Sequence, residues 1–217
     1  MTSTRPSSSP ISKRPLSLLV FVLLLIILGG EASASLREAV ERHNGSVVSE
    51  ESIARLAEFD AYIRYFTSIS YIRPRYKVSP GFLRALILAE SAADPKALSP
   101  KQARGLGQLL YPTALKASRE LSQRFTSFRH VSHRTLSQLQ EEDLYDPAVN
   151  ILLTCYLIAK YNERFNGRLD LVVTAWNAGE YTETLEYGRH APYRETEELI
   201  GKVNAYYLYL LRTRAFR

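Results

Sequence analysis

An all-α fold is predicted for this 217-residue chain by three features of its sequence. Apolar residues recur at three- and four-residue spacing in six separate segments. No stretch of four to eight residues alternates between apolar and polar side chains, as a half-buried strand would. The segments are punctuated by proline, Asn-Gly and Asn-Ala-Gly at the places where helices start or stop. The first segment, Glu50 to Ile72, carries Ile53, Leu56, Ala57, Ile63, Phe66 and Ile69, and Arg73-Pro74-Arg75 ends it. Ser79-Pro80 opens the second as N-cap and first-turn proline, and it runs to about Ser91, ahead of Asp94-Pro95. A Ser/Pro/Lys/Gly-rich loop fills 94–105. Helices follow from Thr113 to about Arg124, from Pro147 to Phe165 up to Asn166-Gly167, and from Leu169 to Trp176 up to Asn177-Ala178-Gly179. The last runs from Glu195 to about Arg212 with Leu199, Val203, Tyr206, Tyr207 and Leu210. No internal repeat of fixed period is present.

The N-terminus reads as an export signal. Arg5, Lys13 and Arg14 precede an apolar run from Leu16 to Leu28, Gly29-Gly30 break it, and Ala32-Ser33-Ala34 has the small-residue spacing of a cleavage site. The run is short for a spanning helix of roughly 20 residues. Its hydrophobicity keeps a retained inner-membrane anchor open as the alternative. No cysteine lies nearby, so lipid attachment there is excluded. Residues 1–34 hold three of the 28 basic residues and one of the 22 acidic ones, which leaves a net charge of +4 beyond them. A mildly basic surface suits an anionic polymer or a phospholipid surface without selecting either. Cys155, the single cysteine, can form no internal disulfide and lies in an apolar run, as a small core residue does. Residues 125–143 hold His130, His133, Glu141, Glu142 and Asp143. A polar surface excursion is the expected role, because no second ligand pair has metal-site spacing.

The helix from Pro80 to Ser91 carries the chemistry. At 100° per residue Leu83, Leu86, Ile87 and Glu90 share one stripe, with Arg84, Leu88 and Ser91 on another side. A carboxyl at the end of an apolar stripe is costly to ionise, so its pKa rises toward that of a general acid near neutral pH. By position alone, a glutamate at a helix end that reaches water is the favoured reading of Glu90.

The strings that follow decide between these readings. Glu90-Ser91, Asp94-Pro95-Lys96-Ala97-Leu98-Ser99, Ala103-Arg104-Gly105-Leu106-Gly107-Gln108-Leu109, Asp146-Pro147-Ala148-Val149-Asn150-Ile151, Ala175-Trp176-Asn177-Ala178-Gly179 and Pro192-Tyr193-Arg194-Glu195-Thr196 occur in that order. In this order they resemble the soluble lytic transglycosylase (SLT) domain of glycoside hydrolase family 23, related in fold to goose-type lysozyme. The likeness runs from about Glu58 to Tyr207. It implies a lysozyme-like helical domain of the lytic transglycosylase type over 58–212. A helical extension would occupy 35–57, after a signal or anchor over 1–34.

The resemblance also implies roles. Glu90 matches the family's catalytic acid/base. Ser99 and Gln108 match residues at sugar subsites, Leu110 one that packs on the sugar, and Trp176 and Asn177 the aromatic residue and asparagine that border the active site. The residue types suit a sugar, with polar groups beside ring faces. Read alone, Ser99-Pro100 is also a turn, Asn177-Ala178-Gly179 a helix cap and Trp176 a core residue. Two positions depart from the family pattern. Gly107 stands for a methionine, removing a side chain from a segment that shapes the cleft wall, and Trp176 stands for a tyrosine, losing a phenolic hydroxyl.

The implied reaction uses one carboxyl where most glycosidases use two. Glu90 protonates the glycosidic oxygen leaving N-acetylmuramic acid, and the substrate's acetamido oxygen supports the anomeric carbon. Glu90 then takes the proton of the muramyl 6-hydroxyl, whose oxygen closes a 1,6-anhydro ring. Neither water nor a metal or other cofactor is consumed. The expected partner is the glycan strand of peptidoglycan in the periplasm, with secretion or wall-assembly machinery as a further candidate and no nucleic acid. The alternatives are a hydrolytic muramidase on the same scaffold and a glycan-binding or assembly protein without turnover.

Overall fold

The computed structural model describes residues 34–216, and these are helical with no strand among them. The leader or anchor expected over 1–34 lies outside the described residues apart from Ala34. Ten α-helices are described: α1 (Ala34–Arg42), α2 (Glu50–Glu58), α3 (Asp60–Ser68), α4 (Pro80–Ser91), α5 (Tyr111–Arg124), α6 (His133–Ser137), α7 (Pro147–Arg164), α8 (Leu169–Ala178), α9 (Glu183–Glu186) and α10 (Arg194–Thr213). Short 3-10 turns lie at Pro74–Tyr76 and Glu142–Tyr145. No helix among the described residues is long and apolar enough to cross a membrane.

Two helices form the centre. α4 starts where the Ser79 hydroxyl accepts from the amide of Phe82, with Pro80 in the first turn. Every residue from Phe82 to Ala89 is buried, so α4 is enclosed around its circumference and not along one stripe. Arg84 and Leu88, expected on another side, are inside as well. Arg84 is tolerated there because its guanidinium pairs with Asp60 and lies over the ring of Phe216. α7 starts at Asp146, whose Oδ1 accepts from the amides of Ala148 (2.7 Å) and Val149 (3.3 Å). It buries Cys155 completely, and burial pushes the thiol well above its ordinary pKa, as befits a core residue.

Around this centre α2 and α3 pack on α4, α5 and α8 pack on α7, and α10 packs on α1, α4 and α8. α1 and α10 approach closely, since a Cβ on Gly201 would fall 2.6 Å from the carbonyl oxygen of Ala39. Side chains tie the same pair: the Ser35 hydroxyl donates to buried Glu197 at 2.8 Å, and Arg42 pairs with Glu198 at 2.6 Å.

Two expectations are corrected. The segment from Glu50 to Ile72 is two helices broken at Phe59, which ends α2 and precedes α3. The break leaves both helices against α4 and brings Asp60 to Arg84. α3 stops at Ser68, and Tyr71 folds back to donate to the carbonyl of Phe66 at 3.0 Å. The 125–143 segment is also more than a polar excursion. Phe128 is buried, His130 stands edge-on to Tyr62 and Tyr65, and Ser132 caps the short helix α6. His133 meets the carbonyl of Ser122 at 3.1 Å.

Candidate active site

Glu90 sits in the last turn of α4, only partly exposed. The turn ends abruptly, because Ala92 and Ala93 take left-handed backbone conformations (φ 51° and 61°). The Ser91 hydroxyl donates back to Ile87 at 3.1 Å and across to the carbonyl of Leu106 at 2.8 Å. Ser91 thereby fixes the loop 94–110 to the end of α4.

That loop is a compact wall. Isolated antiparallel bridges join Leu98 to Arg104 and Arg104 to Leu109. The Ser99 hydroxyl accepts from the amide of Ala103 at 3.0 Å, so the turn role of this serine is present in the structure. The Gln108 amide donates to the carbonyls of Ala97 (3.2 Å) and Gly105 (3.0 Å), within its own loop. Leu110 precedes α5 and is 44% exposed, an apolar face open to solvent.

The anchor of the wall is Asn150, on α7 and 1% exposed. Its Oδ1 accepts from the amide of Gly107 at 2.8 Å, and its Nδ2 donates to the carbonyls of Arg104 (3.0 Å) and Leu144 (2.8 Å). One side chain thus satisfies three backbone groups. Gly107 points the same way: a Cβ there would fall 2.3 Å from the Thr154 hydroxyl. The missing side chain at 107 is therefore lost from the packing of the loop on α7. Gly105 (φ 71°) is equally constrained, since a Cβ would meet the Leu144 carbonyl at 2.3 Å.

The other side chains around Glu90 come from α8 and α10. The Trp176 indole lies near the Glu90 carboxyl and favours its ionised form. Its ring stands edge-on to Tyr161 at 6.5 Å. Asn177 accepts from the Thr196 hydroxyl at 2.6 Å and donates to Glu195 at 3.5 Å, while Lys101 of the loop holds Glu195 at 2.7 Å. Lys202 donates to the carbonyl of Ala89 at 2.7 Å.

Burial raises the Glu90 pKa to about 7, opposed by the charge of Lys202 and the Trp176 indole and assisted by the charge of Glu195. Glu195 moves the other way, held below its ordinary value mainly by the hydrogen bond from Lys101. The site therefore sets a carboxyl that retains its proton near neutrality beside one that is ionised. Of the residues expected from sequence, Trp176 lies near Glu90 and Asn177 joins the adjoining network. Ser99, Gln108 and Leu110 lie on the loop that Ser91 fastens to α4. Sequence reasoning missed Asn150, Lys101 and Lys202. Asn150 had a signal, a polar residue inside the apolar run of α7; the two lysines had none.

The family model of the transglycosylase SLT domain matches residues 68–199. The chain belongs to this family. Within the SLT domain lie the ordered strings described above and every residue of the site except Lys202. A putative soluble lytic murein transglycosylase of Haemophilus influenzae is 32% identical over 120 residues, which cover 55% of this chain and 18% of that protein. The chain thus spans less than a fifth of that relative's length. The crystal structure of the 70 kDa soluble lytic transglycosylase of Escherichia coli superposes with a TM-score of 0.55 at 24% identity, over 71% of this chain and 24% of the other. This likeness establishes the lysozyme-like helical fold.

Proposed function

We propose that this protein is an exported peptidoglycan lytic transglycosylase in which Glu90 acts as the single acid/base. The observation that carries the reading is the Glu90 carboxyl, partly buried at the end of a buried helix and raised to about 7 by that burial, inside an SLT domain. A carboxyl of that pKa is a fair acid for the glycosidic oxygen and, once ionised, a fair base for the muramyl 6-hydroxyl. The proton leaves Glu90 as the bond between N-acetylmuramic acid and N-acetylglucosamine breaks, and the 6-hydroxyl returns one as the anhydro ring closes. Ser99, Gln108, Leu110, Trp176 and Asn177 would line the sugar subsites. Catalysis would occupy 58–212, with 35–57 as an extension and 1–34 as signal or anchor. The periplasm would be the working compartment, and retention on the inner membrane would show in cell fractionation.

Glu195 favours a second reading. It is an ionised carboxylate close enough to influence Glu90, and in a hydrolase it would activate water. Mass spectrometry of peptidoglycan digested by the chain separates the two. Anhydromuramyl ends support the transglycosylase; reducing muramyl ends alone would replace it with a muramidase. Glycan binding without any cleavage would leave a binding protein.

A further inference from the structure

Lys202 has a place in the site that neither the family's sequence strings nor the sugar chemistry assigns. It lies on α10, partly buried, and reaches the end of α4 from outside the motif region. The carbonyl of Ala89 would ordinarily accept from the amide four residues on, but Ala93 has left the helix at φ 61°. Ala89 is 7% exposed, which leaves its carbonyl little access to water. The Lys202 ammonium supplies the missing donor at 2.7 Å and puts a cation at the negative end of the helix, one residue before Glu90. Two neighbouring carbonyls are satisfied without a cation, and a third, that of Ala92, meets the guanidinium of Arg55. Leu88 accepts from the amide of Ala92 and Ile87 from the Ser91 hydroxyl.

We propose that Lys202 is a positioning residue for the reaction. It pins the last turn of α4 through Ala89 and holds a positive charge beside the carboxyl of Glu90, so that the proton can leave for the glycosidic oxygen. The inference rests on the acid/base role proposed for Glu90. The groups that face Glu90 are Lys202 and Glu195 from α10 and the Trp176 indole from α8, with Lys101 of the loop acting through Glu195. The coupling is reciprocal: burial lowers the Lys202 pKa and Glu90 raises it. Of these groups Lys202 is the one whose charge favours the carboxylate most. Its loss leaves a weaker acid whose conjugate base is harder to form.

The test compares Lys202→Met, Lys202→Gln and Lys202→Arg in the full-length chain. Glutamine keeps a donor for the Ala89 carbonyl without charge, so it separates the cap from the cation. The Glu90 carboxyl is titrated by ¹³C NMR, its resonance identified by its loss in Glu90→Gln, and kcat and KM on peptidoglycan are measured against pH. Lys202→Met and Lys202→Gln are expected to move the titration and the alkaline limb of kcat upward by about one pH unit. They are expected to lower kcat about tenfold with KM little changed. Lys202→Arg is expected to restore most of both. A Lys202→Gln protein that titrates like wild type would overturn the role of Lys202 even with turnover intact. A wild-type chain without turnover sinks the reaction assigned to Glu90 instead, and the titration still reads the charge.

Discussion

The two walls beside Glu90 are built by different means. The loop 94–110 is held largely through backbone groups: Asn150 bonds two of them, the Ser91 hydroxyl bonds one, and Gly105 and Gly107 press on α7 where no Cβ fits. The wall from α8 and α10 is held by side chain against side chain, through Trp176, Asn177, Thr196, Glu195 and Lys101. Disturbing the first wall disturbs the fold, because buried backbone groups lose partners they cannot replace. Disturbing the second changes the charge and hydrogen bonding of Glu90 at little cost to stability. The first is a matter of packing, and the second bears on the protonation of Glu90.

Substitutions test this division. The largest stability loss is expected for Asn150→Ala, which strips the Gly107 amide and two carbonyls of their partner. A cost of about 4 kcal/mol, or roughly 10 °C in Tm, should appear in thermal unfolding. A change of under 2 °C, on the same scale, would mean that the loop does not depend on this side chain. Next comes the cost of an ionised Glu90. Its folded pKa of about 7 exceeds the ordinary 4.5, so the folded state keeps a proton that the unfolded chain has released between those values. Stability from this group therefore falls as pH rises through that window and levels off above it. Glu90→Gln should match wild type at low pH and exceed it above neutrality by up to about 3 kcal/mol in denaturant titrations. Equal stability at all pH values would show that the carboxyl is not perturbed.

Gly107→Ala drives a Cβ onto the Thr154 hydroxyl and should cost about 2 kcal/mol. Thr154→Ala in the same chain should recover at least half of it, measured as a double-mutant cycle. Additive losses would place the strain elsewhere. The smallest stability effect belongs to the second wall. Trp176→Phe removes the indole donor, so the Glu90 pKa and the alkaline limb of activity should rise and kcat should fall about tenfold. Tm should change by no more than about 2 °C. Trp176→Tyr returns a hydroxyl donor and should recover part of the rate.

Much of this was legible in the sequence. Ser79-Pro80 marked the start of α4 and Pro147 that of α7, because helix starts are set by local chemistry. The stripe ending at Glu90 marked a carboxyl that would be costly to ionise, and burial supplies the perturbation expected of it. The rest depends on partners distant along the chain. The break at Phe59 accompanies the pairing of Asp60 with Arg84 on another helix, while helical periodicity runs through it unmarked. Gly107 suggested a change in the cleft wall, yet its missing side chain faces Thr154. Trp176 suggested a lost hydroxyl, and its indole lies near Glu90 and favours the ionised carboxyl. Lys202 resembles any lysine on an amphipathic helix until α10 is placed against α4.

The most direct measurement is turnover of peptidoglycan by wild type, Glu90→Gln and Glu195→Gln under the same conditions, with glycan binding followed in parallel. Sole acid/base action by Glu90 predicts that Glu90→Gln binds glycan but loses at least about a thousandfold in kcat. Glu195→Gln should still release anhydromuramyl products. Cleavage by Glu90→Gln at the wild-type rate, or loss of cleavage in both variants with reducing ends from wild type, would contradict it.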